Sequence, residues 1–211
     1  MIRLVVADDQ AILRSGLVAL LNLEPDLEVV GEASDGAGTL AAVTEHQPDV
    51  LLLDVQMPAG APDGPADGIE VAERLQQSTA GPDGAPRIIV LTTFGRAGYL
   101  RRTMEAGAHG FMVKDTPVER LVDGIRRVHQ GLKVVDPELA AQSLAVGTSP
   151  LTAKETEVLQ AAAAGGSTAQ IAGRLFLSEG TVRNHISAAI GKLGVTNRAE
   201  AVRAAVDNGW I

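Results

Sequence analysis

The sequence is short of the residues that build disulfide bonds, thiolate sites and aromatic cores. Its 211 residues include no Cys, three Phe, one Tyr and one Trp. The absence of Cys excludes disulfides and thiolate metal sites and fits a reducing compartment. Because hydrophobic residues make up 45% and aromatic residues 2% of the chain, we expect a core of Leu, Val, Ile and Ala.

Long hydrophobic runs are also missing. No apolar stretch approaches the roughly 18–20 residues that a membrane-spanning helix needs. The amino-terminal segment MIRLVVADDQ carries charges within and just after a short apolar run, which is not typical of a signal peptide. These features predict a soluble, cytoplasmic protein.

The net charge of −8 is unevenly distributed along the chain. Residues 1–148 contain 12 Lys and Arg against 21 Asp and Glu, which gives −9, whereas residues 149–211 contain 6 against 5, which gives +1. An acidic protein is an unexpected partner for nucleic acid, but the carboxy-terminal part does not share that acidity. A DNA contact through this part is therefore compatible with the composition.

Short apolar runs alternate with segments of helical spacing up to residue 129. The runs are rich in Val, Ile and Leu, which is typical of strands buried on both faces. The predicted strands are Ile2–Ala7, Glu28–Ala33, Val50–Asp54, Arg87–Thr92 and Gly110–Val113. The first helical segment has one apolar stripe, formed by Ile12, Leu13, Leu17, Leu20 and Leu21. This alternation predicts an α/β fold, a doubly wound parallel sheet built from five βα units.

The pattern changes after His129. Residues 131–148 contain Pro137 and many small residues and are followed by Pro150, and we interpret them as a linker. From residue 149 onward every periodic segment is helical, with Gly residues at the helix ends. We therefore predict a domain at 1–130, a linker at 131–148 and a smaller all-α domain at 149–211.

The carboxyl ends of the predicted strands carry the side chains that point to chemistry. Ligands of an open parallel α/β sheet bind beyond these ends. The side chains are Asp8 and Asp9 after strand one, Asp54 at the end of strand three, Thr92 at the end of strand four and Lys114 after strand five. Each one alone is more often a turn, cap, strand or solvent-exposed residue, but here four strand ends agree. Clustered carboxylates need a cation, and an all-oxygen site with room for a phosphoryl group suits Mg²⁺.

The motifs VVADDQ, LLLDVQMP, VLTTF and GFMVKD resemble those of response regulator receiver domains, over about residues 1–130. This resemblance implies the strand order 2-1-3-4-5 and Asp54 as the phosphoacceptor. The Mg²⁺ ligands that it implies are Asp8, Asp9, Asp54 and the backbone carbonyl of Gln56. It also implies that Thr92 and Lys114 contact the phosphoryl group and that Phe111 is a switch aromatic coupled to Thr92. On the sequence alone, Phe111 is equally well interpreted as a core residue.

One segment departs from the receiver pattern. After DVQMP the family usually needs about four residues before the next helix, and this chain has ten, AGAPDGPADG. The extra residues are Pro, Gly, Ala and Asp, which are typical of a loop. We interpret residues 59–67 mainly as a tolerated surface extension, with an effect on metal affinity, kinase docking or phosphoryl lifetime as the alternative.

The segment STAQIAGRLFLSEGTVRNHISAAIGKLG predicts a helix, a tight turn and a second helix. Spacing alone is also compatible with a plain helical bundle. The strings LTAKETEVL, IAGRLFLSEGTVRNHI and KLGVTNRAEAV, however, resemble the LuxR-type helix-turn-helix domain. By that resemblance Arg183, Asn184 and Ser187 face DNA bases, while Thr181 and Lys192 contact phosphates.

The two resemblances together identify the chain as similar to the NarL/FixJ family of transcriptional response regulators. The implied partners are a sensor histidine kinase, promoter DNA and a second copy of the chain after activation. Beyond Mg²⁺-dependent self-phosphorylation and dephosphorylation, no enzymatic activity is implied. The segment LTTFGRAGYLRR and the ending DNGW resemble the branch that regulates membrane-lipid desaturation.

Two other functions remain open from the sequence. A phosphorylation-independent DNA-binding regulator would have a modified receiver pocket, which the long loop keeps in consideration. A phosphatase of the haloacid dehalogenase type also uses an Asp nucleophile with Thr, Lys and Mg²⁺. It needs a second Asp two residues after the nucleophile, and Gln56 at that position disfavours it.

Overall fold

The computed structural model folds into two compact units: the first comprises residues 1–95 and 102–139, and the second comprises residues 96–101 and 140–211. The residues that the structure describes are 1–78, 85–93, 97–137, 139–141 and 149–211. Within these ranges no helix combines the length and apolar character required to cross a bilayer.

The first unit is built on a parallel sheet of six strands in the order β2-β1-β3-β4-β5-β6. The strands are β1 (Ile2–Ala7), β2 (Leu27–Ala33), β3 (Val50–Asp54), β4 (Arg87–Thr92), β5 (Gly110–Val113) and β6 (Val134–Val135). The predicted α/β class and the order of the first five strands are confirmed. The sixth strand lies in the segment that we interpreted as a linker and pairs with Gly110 and Phe111 of β5. Two residues are too few to produce a periodic signal in the sequence.

Five helices connect the strands and flank the sheet. They are α1 (Ala11–Leu21), α2 (Gly36–His46), α3 (Gly68–Gln77), α4 (Ala97–Glu105) and α5 (Val118–His129). Asp35 and Asp67 form the N-caps of α2 and α3, and their side chains accept hydrogen bonds from the backbone amides of Gly38 and Glu70. Such caps satisfy amides that a helix start would otherwise leave unpaired.

The centre of the sheet is fully apolar and positions the strand ends. Every residue of β3 is buried because β1 and β4 flank this strand and helices cover the sheet. The register pairs Asp54 with Leu91 on β4, and Thr92 with Val113 on β5. The residues that end β3 and β4, and those that follow β1 and β5, are therefore brought to one edge of the sheet.

Helix α1 differs from the expected apolar stripe. Of the five predicted stripe residues only Leu21 is fully buried, and Leu17 packs partly against the core. Ile12 is 92% exposed and Leu20 is 46% exposed. The described part of the first unit thus leaves much of an apolar helix face in solvent.

The second unit is a bundle of helices. They are α6 (Ala153–Ala163), α7 (Thr168–Leu175), α8 (Glu179–Leu193) and α9 (Arg198–Asp207). The periodic segments of the sequence predict helices at 153–164, 168–175, 179–193 and 198–208, and the observed bounds agree to within a residue. The N-caps that fix the helix starts are Thr152, Ser167, Ser178 and Asn197. Val182 and Ile186 of α8 are buried in the core against Val158 and Ile171, as their spacing predicts.

Candidate functional sites

The strand ends of the first unit bring four predicted site residues to one edge of the sheet. Asp8 follows β1, Asp54 ends β3, Thr92 ends β4 and Lys114 follows β5. Asp8, Asp54 and Thr92 are each only 3% exposed. These polar side chains are buried because each of them ends, or directly follows, a buried strand.

Lys114 joins two of the carboxylates. Its Nζ lies 2.7 Å from Oδ2 of Asp8 and 2.8 Å from Oδ2 of Asp54. Burial raises the pKa of Asp54, and the hydrogen bond from Lys114 only partly offsets this rise. Burial lowers the pKa of Lys114, but the hydrogen bonds to Asp54 and Asp8 outweigh it, so that this pKa is raised overall. The ammonium group is therefore held in its charged form between two carboxylates.

Asp9 completes an acidic cluster with Asp8 and Asp54. One carboxylate oxygen from each lies within 4.8 Å of the other two. Asp9 is exposed, whereas Asp8 and Asp54 are buried, so the cluster is reached from solvent on the Asp9 side. Hard oxygen donors at this spacing suit Mg²⁺, which uses few carboxylates and keeps several waters.

The other predicted receiver residues occupy different surroundings. The backbone N–H of Gln56 donates to the Asp54 carboxylate, which ties the following loop to the acidic side chain. Phe111 is fully buried, and its β5 position pairs with Val90 and Val135. The role of the Gln56 carbonyl as a metal ligand and the coupling of Phe111 to Thr92 stay predictions.

Arg14 is a supporting residue that the sequence reasoning missed. Its Nη1 donates to the backbone carbonyl of Asp8, and its Nε lies 3.1 Å from Oε2 of Glu32. This contact fixes the chain where β1 ends and α1 begins. A signal was present, because Arg14 is the only charged residue within α1.

The long loop after β3 lies against the start of α2. The backbone amides of Gly36 and Ala37 donate to the carbonyls of Pro58 and Ala59 at 2.9 and 3.0 Å. Arg74 of α3 donates to the Asp63 carbonyl at 2.9 Å. Gly60 has a φ of 74°, and a side chain there would overlap Asp35. The extension is thus attached to both neighbouring helices.

A second candidate site is the exposed side of α8. Arg183, Asn184 and Ser187 are all exposed. Arg183 Nη1 lies 3.3 Å from Oε2 of Glu179, one turn earlier. Because the recognition helix of a helix-turn-helix unit contacts bases with its amino-terminal residues, this part of α8 is suitably placed.

The two predicted phosphate contacts on α8 are engaged within the unit. The hydroxyls of Thr181 and Ser178 lie 2.8 Å apart at the helix start. Lys192 Nζ lies 2.7 Å from Oε2 of Glu155 on α6, and the Lys192 side chain is 37% exposed. A phosphate contact by Lys192 would share the ammonium with Glu155, and it stays a prediction.

Known proteins match the chain along nearly its whole length. Residues 4–126 match the response regulator receiver domain, and residues 149–205 match the bacterial regulatory proteins of the luxR family. The chain belongs to the response regulators. It is 41% identical to the transcriptional regulatory protein DesR of Bacillus subtilis, over 100% of this chain and 99% of DesR. It is 42% identical to the uncharacterized transcriptional regulatory protein YvfU of the same species, over the full length of both.

Solved structures of response regulators agree with this assignment. Response regulator ChrA of a heme-sensing two-component system has a TM-score of 0.57 at 34% identity, over 100% of this chain and 98% of ChrA. A complex of the response regulator RcsB with DNA has a TM-score of 0.68 at 26% identity, over 98% of each chain. The family predicted from the two sets of motifs is confirmed, and this response regulator is a transcriptional regulator of the two-component type.

Proposed function

We propose that this response regulator is switched by transfer of a phosphoryl group from a histidine kinase to Asp54. The observation that carries the proposal is the position of Lys114, which lies within hydrogen-bonding distance of Asp8 and Asp54 at one buried edge of the sheet. In the transfer, a carboxylate oxygen of Asp54 attacks phosphorus while the bond to the kinase imidazole breaks. Lys114 then donates to one phosphoryl oxygen and the Thr92 hydroxyl to another.

Mg²⁺ fits this site through Asp8, Asp9 and Asp54, together with the backbone carbonyl of Gln56. The three carboxylates offer oxygen atoms at mutual distances of at most 4.8 Å. A bound Mg²⁺ supplies positive charge that offsets the charge of the phosphoryl oxygens. The same residues would hold Mg²⁺ while water attacks phosphorus and the bond to Asp54 breaks, which releases inorganic phosphate and returns the switch to its resting form.

Dimerisation is the proposed response of the first unit. Ile12, Leu13 and Leu20 of α1 are between 37% and 92% exposed. A cavity of about 370 Å³ lies beside them, lined on its other side by Val118 and Leu121 of α5. An apolar face of this kind supports association with a second copy. Rearrangement of Thr92 and Phe111 would alter the neighbouring surface and so favour the dimer.

DNA recognition is assigned to α8 of the second unit. One known structure contains two RcsB dimers bound to two parallel DNAs. By analogy, a dimer of this chain presents two copies of α8 to two half-sites, and the second contact adds to the first as an intramolecular event. A regulator of promoters acts where the chromosome lies, so we place it in the cytoplasm.

The identity of the genes that this regulator controls is a hypothesis. The likeness to the lipid-desaturation branch rests on LTTFGRAGYLRR and DNGW, together with 41% identity to DesR. The 42% identity to YvfU is equally high, so overall similarity favours the family and not one regulon.

The decisive experiment is incubation with a small phosphodonor and Mg²⁺, followed by intact mass and oligomeric state. We expect one phosphoryl adduct, its loss in Asp54→Ala, and dimerisation that accompanies the adduct. Asp63→Ala is the matched control, because Asp63 is an exposed carboxylate in the neighbouring loop. The absence of an adduct, with DNA binding retained, would favour a phosphorylation-independent regulator.

A further inference from the structure

Phe176 stands out in the turn between α7 and α8. It is 96% exposed, more than any other large hydrophobic residue in the described chain. Its backbone has φ 54° and ψ 42°, which is the left-handed conformation. A bulky residue rarely adopts this conformation, and a phenyl ring is rarely left wholly in water.

The fold requires the left-handed backbone conformation at residue 176, but it does not require a phenyl side chain there. The backbone amides of Phe176 and Leu177 both donate to the carbonyl of Ala172, which ends α7 and reverses the chain. Gly and Asn are the residues that suit such a left-handed helix end. At the equivalent position after α2 the chain uses a polar residue, Gln47, with φ 44°. The phenyl ring of Phe176 is therefore not explained by the packing or the turn of its own unit.

Phe176 lies close in sequence to the helix that we propose binds DNA. It lies two residues before Ser178, the N-cap of α8, and two residues after the exposed Arg174. A side chain added at Gly173, three residues before Phe176, would meet no atom within 4 Å, so the surface of α7 is open at that position. When the second helix of a helix-turn-helix unit enters the major groove, the first helix crosses the phosphate backbone. In that geometry the turn between the two helices would come close to the duplex backbone.

We propose that Phe176 is a DNA contact that packs its ring against the deoxyribose of the duplex backbone. The contact is apolar and independent of base sequence, and Arg174 beside it supplies charge for the adjacent phosphate. The proposal rests on the proposed function, in that α8 must be the helix that reads DNA. Phe176 would add a contact to the proposed DNA-binding surface from the turn before α8, outside the recognition helix itself.

The test compares DNA affinity with stability in the variant Phe176→Asn. The probe is a 30-base-pair duplex that carries the site enriched by the wild-type protein from a random pool, and full-length chains are used in the same phosphorylation state. Asn suits the left-handed backbone, so unfolding followed by Trp210 fluorescence should occur at an equal or higher midpoint. Loss of the apolar contact should weaken binding about fivefold to tenfold. The slope of affinity against salt should stay unchanged, because no phosphate charge is neutralised by the ring.

Three further variants and one altered probe make the result specific. Phe176→Tyr keeps the ring face and should keep the affinity. Gln47→Asn makes a matched backbone change far along the sequence and should leave DNA binding as it is. Replacement of thymine by deoxyuracil in the probe should leave the effect of Phe176→Asn intact, because the sugar is unaltered. Arg183→Ala removes a predicted base contact and should weaken binding to the probe whether residue 176 is Phe or Asn.

Several outcomes would overturn the proposal. These are wild-type affinity in Phe176→Asn, an equal loss in Phe176→Tyr, and a loss accompanied by a lower Trp210 midpoint. Disappearance of the loss on the deoxyuracil probe would also overturn it, because the ring would then contact a thymine methyl group. If Arg183→Ala binds like the wild type, the assignment of α8 itself has failed, which separates that failure from a failure at Phe176 alone.

Discussion

Lys114 determines the charge balance among the buried residues at the proposed phosphorylation site. Two carboxylates that are each 3% exposed face one ammonium at 2.7 and 2.8 Å. Two buried carboxylates whose oxygen atoms lie within 4.8 Å of each other repel, and a nearby cation offsets that repulsion. In the metal-free protein the Lys114 ammonium is the cation that offsets this repulsion, and a bound Mg²⁺ would share that role.

The substitution Lys114→Ala should therefore destabilise the first unit and make its stability depend on Mg²⁺. Removal of one partner of a buried ion pair leaves uncompensated charge, and we expect a loss of about 3–5 kcal/mol in metal-free buffer. Added MgCl₂ should restore more stability to the variant than it adds to the wild type, since the metal replaces the missing charge. Calorimetry of both chains with and without Mg²⁺ measures this difference.

Lys133→Ala is the control for this prediction. Lys133 is exposed, so its removal changes the net charge equally without uncovering the acidic cluster. It should change stability by no more than about 0.5 kcal/mol. An equal response to Mg²⁺ in wild type and Lys114→Ala would contradict the charge balance that we describe.

The residues of this site were predictable because parallel strands share the direction of their ends. Asp8, Asp54 and Thr92 follow from the lengths of three apolar runs and from the rule that sites lie beyond strand ends. The ion pairs of Lys114 and the contact of Arg14 with the Asp8 carbonyl depend on side-chain conformations and on distances across the sheet. Sequence spacing contains no information on those distances.

At the amino-terminal end of α6, one acidic residue, Glu155, makes two stabilising contacts. Glu155 is 5% exposed, and its Oε2 accepts from the Thr152 backbone amide at 2.7 Å in a capping box. The same oxygen lies 2.7 Å from Nζ of Lys192, near the end of α8. The contact thus links α6 to α8.

Acid should weaken this link. The hydrogen bond from Lys192, followed by the one from Thr152, lowers the pKa of Glu155 below its usual value of 4.5. A carboxyl group with a lowered pKa in the folded state stabilises fully above its unfolded pKa, and that contribution disappears as the pH falls through the folded value. Glu155→Gln should be less stable at pH 7, by up to about 1 kcal/mol. Its stability should also change less between about pH 5 and pH 3.

The single Trp makes this measurement specific to one unit. Trp210 packs against a buried cluster of the helical unit that includes Leu159, Ala189 and Ala201, so its fluorescence reports unfolding there. Glu157→Gln is the matched control, because the Glu157 side chain is 46% exposed and pairs only locally with Lys154. A wild-type acid profile in Glu155→Gln would show that the link does not stabilise the unit.

Elements with strong local signals were predicted well, and elements fixed by distant contacts were not. Helices α6 to α9 followed from caps and apolar spacing, whereas β6 exists because Val134 and Val135 meet the edge of β5. The loop at 59–67 was recognised as an insertion. Its attachment to Gly36 and Ala37 could not be foreseen, because those residues precede it by more than twenty positions.

At the scale of the whole molecule, the two units differ in charge and in what they expose. The acidic first unit presents the apolar face of α1, whereas the second presents the polar side of α8. This division suits a regulator in which the first unit associates with a copy of itself and the second binds DNA. Affinity for a two-site operator would then depend on a surface that touches no DNA.

The substitution Ile12→Glu should separate phosphorylation from dimerisation. Ile12 is 92% exposed, so a charge there should fold without cost, but it would have to be desolvated in a dimer formed through α1. We expect normal phosphorylation of Asp54, a chain that stays monomeric where the wild type dimerises, and at least about tenfold weaker binding to a two-site probe. Sedimentation and DNA titration of the phosphorylated chain measure both effects.

Ala41→Glu, an equal change at an exposed position of α2, should dimerise normally. Normal dimerisation of Ile12→Glu would exclude α1 as the interface and direct the search to another face of the first unit.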